Sequence, residues 1–389
     1  MLNDVVVTGV GLETPIGRSL NEVAAALFAG DRSFKKGAPA ALRSAHSLPD
    51  FPVSMLDVRR SLVDQVPLSQ LLLDLSVGTV RTALEMAGLF DPKTYRNGGV
   101  FLGTSHGSNV GYVDYLTHVS DNSFCLYSPS FVTKSLIGEF GLEGPSETVN
   151  TACSSTLVAA NSAVECLRDG ELDIAILCGV DLFSLVSYAG FSSLNAMDPE
   201  GTRPFSEQRQ GLTLGDGVAS FVLEKRASAD ARGVRPMCTI ISTGMRNETY
   251  HPTRPDPQAT VTSELLRSVL GDLPSHASPY FLAHGTGTSA NDSTELLAIE
   301  TACDDRREKI PVTAVKYHFG HTLGSAGAMQ LVSALCAIMR NSLIPNGVRS
   351  ETIGTEKCYF PSVPEPLDGR TIIMNSFGFG GSLASAAVR

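Results

Sequence analysis

Apolar segments of two kinds alternate along the chain. Short uninterrupted runs read as buried strands, and longer runs at helical spacing read as helices. Val5-Val6-Val7 opens a strand that ends at Gly9. Residues 99–103, 147–150 and 173–180 predict three more strands. Residues 72–90 predict an amphipathic helix, and residues 153–167 a helix rich in small side chains. This alternation argues for an α/β fold.

The second half repeats the order in degenerate form. Residues 237–244 predict its opening strand, and residues 280–286 match residues 100–106 in pattern. Residues 311–315 then lead through a turn into a helix over 326–339, and residues 371–375 predict the closing strand. A period of half the chain implies two similar α/β halves sharing one core. The charged stretch 225–236 is the expected junction, which divides the chain into residues 1–230 and 231–389. Residues 251–257 hold three prolines and read as a surface loop.

Composition narrows the class. With 389 residues, 43% of them hydrophobic, the chain can bury a large core and exceeds one average domain. Its 36 glycines recur with Ala and Ser inside apolar segments, which suggests helices packed closely on other backbone. A net charge of −10 argues against a nucleic-acid binder, but a local basic patch for an acidic protein partner remains compatible. The eight cysteines show neither CxxC pairs nor zinc-ligand spacing, so no metal is expected. The N-terminus shows no signal-peptide pattern, which points to reduced thiols and a cytoplasmic chain. Apolar stretches such as residues 331–339 fall short of the ~18 residues that span a bilayer, so membrane insertion is not expected.

Three separated motifs carry the chemistry: Thr151-Ala152-Cys153-Ser154-Ser155, His284-Gly285-Thr286-Gly287-Thr288 and Lys316-Tyr317-His318-Phe319-Gly320-His321. Cys153 sits where a strand gives way to a helix. Free N–H groups and the helix dipole there favour the thiolate, the attacking form. Cys166, Cys178, Cys238 and Cys336 instead read as buried structural residues. His284 and His321 open glycine-rich turns, and neutral imidazoles there could hydrogen-bond a developing enolate oxygen. Thr286 and Thr288 offer hydroxyls to a polar substrate arm. Lys316 would help keep the imidazoles neutral. His46, His118, His251 and His276 read as ordinary core or surface residues, while His106 and His318 stay unassigned. The turn Asn375-Ser376-Phe377-Gly378-Phe379-Gly380-Gly381 could supply an oxyanion-hole N–H and an aromatic gate, or be a tight turn covered by two rings.

Together these motifs resemble those of the β-ketoacyl synthases, condensing enzymes of fatty-acid and polyketide assembly. The likeness extends from Val5 to Gly381 and includes Arg203-Pro204-Phe205, Gly215-Asp216-Gly217, Leu223-Glu224, Asn291-Asp292 and Glu295. The resemblance implies a thiolase-like fold, two pseudo-symmetric α/β halves in a layered α-β-α-β-α core. It implies decarboxylative Claisen condensation, without metal or organic cofactor. Cys153 would accept the acyl group. His284 and His321 would support malonyl decarboxylation beside Lys316. The N–H groups of Cys153 and Phe379 would form the oxyanion hole, with Phe379 as gate. Thr286 and Thr288 would contact the pantetheine arm.

The same resemblance implies acyl carrier protein as partner, and a homodimer or a heterodimer with a chain-length factor. Arg59, Arg60, Arg203 and Arg209 are candidate contacts for an acidic carrier, and residues 107–131 are expected at the interface and pocket. A thiolase would carry a second Cys where Phe379-Gly380-Gly381 stands, and an initiating synthase would have Asn in place of His321. The sequence departs from the family pattern at Gln330, where Glu is frequent, at Ser206, where Asp is usual, and at Asp216, where Glu is usual. Cys153 followed by two serines leans towards polyketide or polyene synthesis. A cysteine acyl hydrolase and a non-catalytic partner subunit are the competing readings.

Overall fold

The structure, a computed structural model, describes residues 4–36, 49–57, 59, 66–107, 128–274, 277–348 and 350–389. His46, Arg60, His118, His276 and most of residues 107–131 lie outside the described residues.

The N-terminal half runs β1 (Val5–Glu13), α1 (Leu20–Ala29), α2 (Leu68–Met86), β2 (Gly98–Gly103), α3 (Phe131–Phe140), β3 (Glu147–Val149), α4 (Ser155–Asp169), β4 (Ile174–Asp181), α5 (Leu185–Ser193) and β5 (Gly217–Lys225). The short α6 (Arg226–Ala231) occupies the expected junction. Then follow β6 (Cys238–Asn247), α7 (Thr260–Gly271), β7 (Pro279–Leu282), α8 (Ser289–Ala302), β8 (Ile310–Thr313), α9 (Lys316–Phe319) and α10 (Ala326–Arg340). The chain closes with the short strands β9 (Ser342–Leu343), β10 (Cys358–Tyr359) and β11 (Glu365–Pro366), then β12 (Thr371–Phe377) and β13 (Ser382–Val388).

The pairing is the same in both halves. In the first, β2 is parallel to β3 and β4, while β5 is antiparallel to β4 and β1. In the second, β7 is parallel to β8 and β12, while β13 is antiparallel to β12 and β6. The halves join where β1 pairs with β6, Val5 opposite Ile240. α4 and α10 lie between the two sheet portions, packing Ala163, Val164, Val332 and Leu335 with Leu177 and Met374. α2 and α3 cover one outer face, and α7 and α8 the other. The result is the expected five-layered order. Each fully buried Leu or Val contributes roughly 1.5–3 kcal/mol.

Small residues permit this central packing. A Cβ on Gly103 would lie 2.4 Å from the backbone nitrogen of Thr156, so α4 rests directly on the β2 backbone. The segment Leu323–Arg340 is long and apolar enough by composition to cross a membrane, but 83% of it is buried between the sheets.

Three expectations shift. The helix expected over 72–90 is α2, four residues earlier, and the chain turns at Gly88 with φ 69°. Strand 371–375 does not close the fold, because β13 follows it. β13 reads Ser-Leu-Ala-Ser-Ala-Ala-Val, and these small residues hide a fully inserted strand. β5 is likewise buried along nearly its whole length and was not expected.

Arg59 is not available to a carrier protein. It is buried, paired with Asp216, and stacked 4.4 Å from the Phe183 ring. The short Asp216 side chain also accepts from Leu56 N at 3.2 Å and Phe183 N at 3.1 Å. Arg203 pairs with Asp198 at 3.1 Å. Arg209 donates to Ser206 O at 2.8 Å and to Ser293 Oγ at 3.0 Å.

Candidate active site

Cys153 sits in a single 3-10 turn, Ala152–Ser154, that feeds α4. Ala152 adopts φ 52°, a left-handed conformation that swings the chain from β3 into the helix. Ser154 Oγ donates to Thr151 O at 2.7 Å and fixes the turn. Cys153 is only 6% exposed, and the nearby N–H groups of Cys153 and Phe379 favour the charged form of its sulfur. The expected thiolate bias is outweighed. Burial pushes the thiol up to about 11, against the pull of the Lys316 charge, and Asp181 adds to the rise.

The other half supplies the bases. His284 follows β7, and its ring meets the His321 ring edge-on, centroids 5.6 Å apart. Leu323 N donates to His321 Nδ1 at 3.2 Å, so the neutral ring carries its proton on Nε2. Lys316 Nζ lies 3.2 Å from His284 Nδ1 and also donates to His284 O. Donation from the lysine to Nδ1 leaves Nε2–H as the donor on this ring too. Burial, followed by the Lys316 charge, holds both imidazoles well below their usual value. Lys316 is itself lowered by burial, against the attraction of Cys153 and Glu295. Two neutral N–H donors and one cation beside a thiol suit an acyl group that passes through oxyanions.

One cavity of about 320 Å³ gathers Cys153, His284, His321, Thr286, Thr288 and Phe379. Thr286 and Thr288 hydroxyls lie 2.8 Å apart. Phe379 is 42% exposed and packs against Phe191, ring centroids 5.8 Å apart. The structure therefore brings all seven sequence-selected residues together, six on the cavity and Lys316 behind His284.

Other residues support them and were less legible. Glu295 accepts from His284 N at 2.7 Å and Gly285 N at 2.8 Å, and burial raises its carboxyl. Asp181 takes Gly324 N at 2.6 Å and Ser105 N at 2.7 Å, linking the His321 turn to the other half. Glu248 and His251 also line the cavity, and His251 Nδ1 accepts from Thr253 N at 3.1 Å. Gly380 N donates to Pro252 O at 2.7 Å, which ties the exposed Pro-rich loop to the rim of the cavity. His318 points away, its Nδ1 2.6 Å from Asp31 O, and burial lowers it to about 4. His106 is buried, and among the described residues neither of its ring nitrogens has a hydrogen-bond partner. Among the described residues, no three His, Cys, Asp or Glu side chains form a metal cluster.

Residues 2–229 match the N-terminal domain of β-ketoacyl synthase, and residues 237–349 match its C-terminal domain. The chain belongs to the β-ketoacyl synthase family and is an acyltransferase of the condensing kind. It is 28% identical to 3-oxoacyl-[acyl-carrier-protein] synthase 2 of Coxiella burnetii, over 97% of this chain and 96% of that one. It is 29% identical to the tetracenomycin polyketide synthase ketoacyl synthase alpha subunit of Streptomyces glaucescens, over 99% and 96%. The ishigamide ketosynthase/chain length factor superimposes with a TM-score of 0.83 at 25% identity, covering 99% of this chain and 98% of that one.

Proposed function

We propose that the chain elongates an acyl group by decarboxylative Claisen condensation, with Cys153 as nucleophile and His284 and His321 as the decarboxylation centre. The acyl carbonyl passes from its carrier thioester to Cys153 Sγ, and the carrier thiol leaves with the proton. A malonyl thioester then enters. Its carboxylate bond breaks, CO2 leaves, and the electron pair moves to an enolate oxygen held by the two Nε2–H donors. The enolate carbon attacks the Cys153 thioester, whose oxyanion takes the N–H groups of Cys153 and Phe379. The β-ketoacyl carrier thioester departs, and the released thiolate is reprotonated beside Lys316. Thr286 and Thr288 hold the pantetheine arm, and Phe379 gates the cavity.

The carrying observation is the single cavity that joins the thiol to two proton-neutral imidazoles. Acyl carrier protein as donor is supported by the name of the Coxiella relative. Assembly as a homodimer, or as the catalytic half of a heterodimer with a chain-length factor, belongs to the same reading, as do a cytoplasmic location and the division at residues 230/231. The alpha-subunit relative and the ishigamide ketosynthase support the heterodimer. Intact mass after incubation with a panel of acyl carrier proteins tests the nucleophile. An acyl adduct is expected on the wild type and none on Cys153→Ala. An adduct of equal yield on both would remove Cys153 from the role.

A further inference from the structure

Gln330 lies in the second turn of α10, 1% exposed, behind the strand ends that deliver His284 and Phe377. Its Nε2 donates towards three carbonyl oxygens, Leu282 at 2.9 Å, Ala283 at 3.1 Å and Asn375 at 2.7 Å. Its Oε1 accepts from Ser376 Oγ at 3.0 Å. An amide has two N–H protons, so three acceptors converge on two donors. All four partners lie in the last three residues of β12, at the end of β7 or one residue beyond it.

The network continues into the site. Asn375 Nδ2 donates to Glu295 Oε1 at 3.1 Å, and Glu295 holds the His284 and Gly285 N–H groups. Ser385 Oγ donates to Asn375 Oδ1 at 2.9 Å. Hydrogen bonds thus run from α10 to both flanks of the His284 turn.

We propose that Gln330 is a positioning residue for the His284 turn, and that the three carbonyls gathered on it in this chain are held by its amide donor, where the family pattern frequently has a glutamate. A glutamate of the same shape would set a carboxylate oxygen against three carbonyl oxygens with no proton to share. It could hold one carbonyl only when protonated. Burial and the surrounding acceptors would raise its pKa, so the protonated form would persist above the usual carboxylate range.

The test is Gln330→Glu beside wild type, followed by thermal unfolding from about pH 5 to about pH 8. A carboxyl raised in the fold adds stability below its unfolded pKa and loses it as pH rises through the folded one. The variant should approach wild type at the acid end. It should fall behind by about 5 °C or more in Tm at the alkaline end. Wild type and variant with parallel Tm profiles would overturn the proposal.

Gln330→Met, neutral and of similar length, covers the case in which the glutamate variant does not fold. It should lower malonyl thioester decarboxylation by about tenfold while iodoacetamide alkylation of Cys153 stays within about twofold, because the thiol lies on the other half. Equal losses in both, or in neither, would contradict positioning of the imidazole turn. The decarboxylation arm rests on the condensing reading. If wild type releases no CO2 from malonyl thioesters, that reading fails, and the Tm profile of the glutamate variant or, where it does not fold, a Tm for Gln330→Met no lower than wild type still decides the proposal.

Discussion

In the N-terminal half, Thr151 leads through the turn Ala152–Ser154 into α4, and in the C-terminal half Thr322 leads through Leu323–Ser325 into α10. Both turns hold a non-glycine residue at positive φ, Ala152 at 52° and Leu323 at 55°. Both end on a serine that donates back to the threonine carbonyl, at 2.7 Å and 2.8 Å. The middle residue differs. In the first turn it is Cys153, whose N–H, with that of Phe379, favours the charged form of the thiol. In the second it is Gly324, whose N–H is taken by Asp181 at 2.6 Å. The duplicated fold supplies two equivalent anion-favouring helix entries. One carries the Cys153 thiol. The other is closed by a carboxylate and becomes the scaffold for His321, two residues upstream of Leu323.

The largest effect is expected from giving the closed turn a side chain. A Cβ on Gly324 would lie 2.4 Å from Ser105 N and 2.6 Å from the Thr104 carbonyl carbon. Gly324→Ala should therefore cost about 3 kcal/mol or more in chemical denaturation. A loss under about 1 kcal/mol would show that the two halves do not interlock there.

Removing the closing carboxylate comes next. Asp181→Ala leaves the N–H groups of Ser105, His106 and Gly324 without their acceptor, at a cost of about 2–4 kcal/mol. Because Asp181 raises the thiol, the same variant should shift the pH midpoint of Cys153 alkylation downward. An unchanged midpoint would separate Asp181 from the thiol's electrostatics.

Glycine scanning of the two strained positions should give opposite signs. Ala152→Gly relieves a left-handed Cβ penalty and should stabilise by up to about 1 kcal/mol. Leu323→Gly relieves the same penalty but removes a side chain only 2% exposed, for a net loss of about 2 kcal/mol. Losses of equal size at both positions would break the comparison.

The smallest effect is a slope. His321 is buried with its pKa held well below 6.5, so the unfolded chain binds its proton first. Stability from this ring is complete above about pH 6.5 and is lost as pH falls below it, by about 1.4 kcal/mol per unit. His321→Asn should flatten the acid limb of stability against pH by that amount. An identical limb in both proteins would show that His321 titrates normally.

Much of the site was legible because its motifs are local. Cys153 stands among small residues at a strand–helix boundary, and each histidine opens a glycine-rich turn. What connects the motifs was not. Asp181 ends an apolar run and looks like a strand terminus, yet its partner Gly324 lies 143 residues away. Arg59 looked like a surface charge, because its partner Asp216 is 157 residues distant. The thiol's local context shows a helix entry but not the burial that outweighs the dipole. β5 and β13 were missed because Ala and Ser on a strand buried on both faces erase the alternation that marks half-buried strands. The Pro-rich loop over 251–257 is the surface loop its prolines imply, and its hydrogen bonds to Gly380 and Glu248, which those prolines do not reveal, set it at the rim of the cavity.

The central claim is that bond formation belongs to the thiol of one half and decarboxylation to the imidazoles of the other. Radiolabelled malonyl carrier protein, given with an acyl carrier protein to wild type and Cys153→Ala, tests it most directly. Wild type should release CO2 and yield a β-ketoacyl carrier thioester. Cys153→Ala should still release CO2 but yield only the acetyl carrier thioester. Formation of β-ketoacyl product by Cys153→Ala would contradict the account.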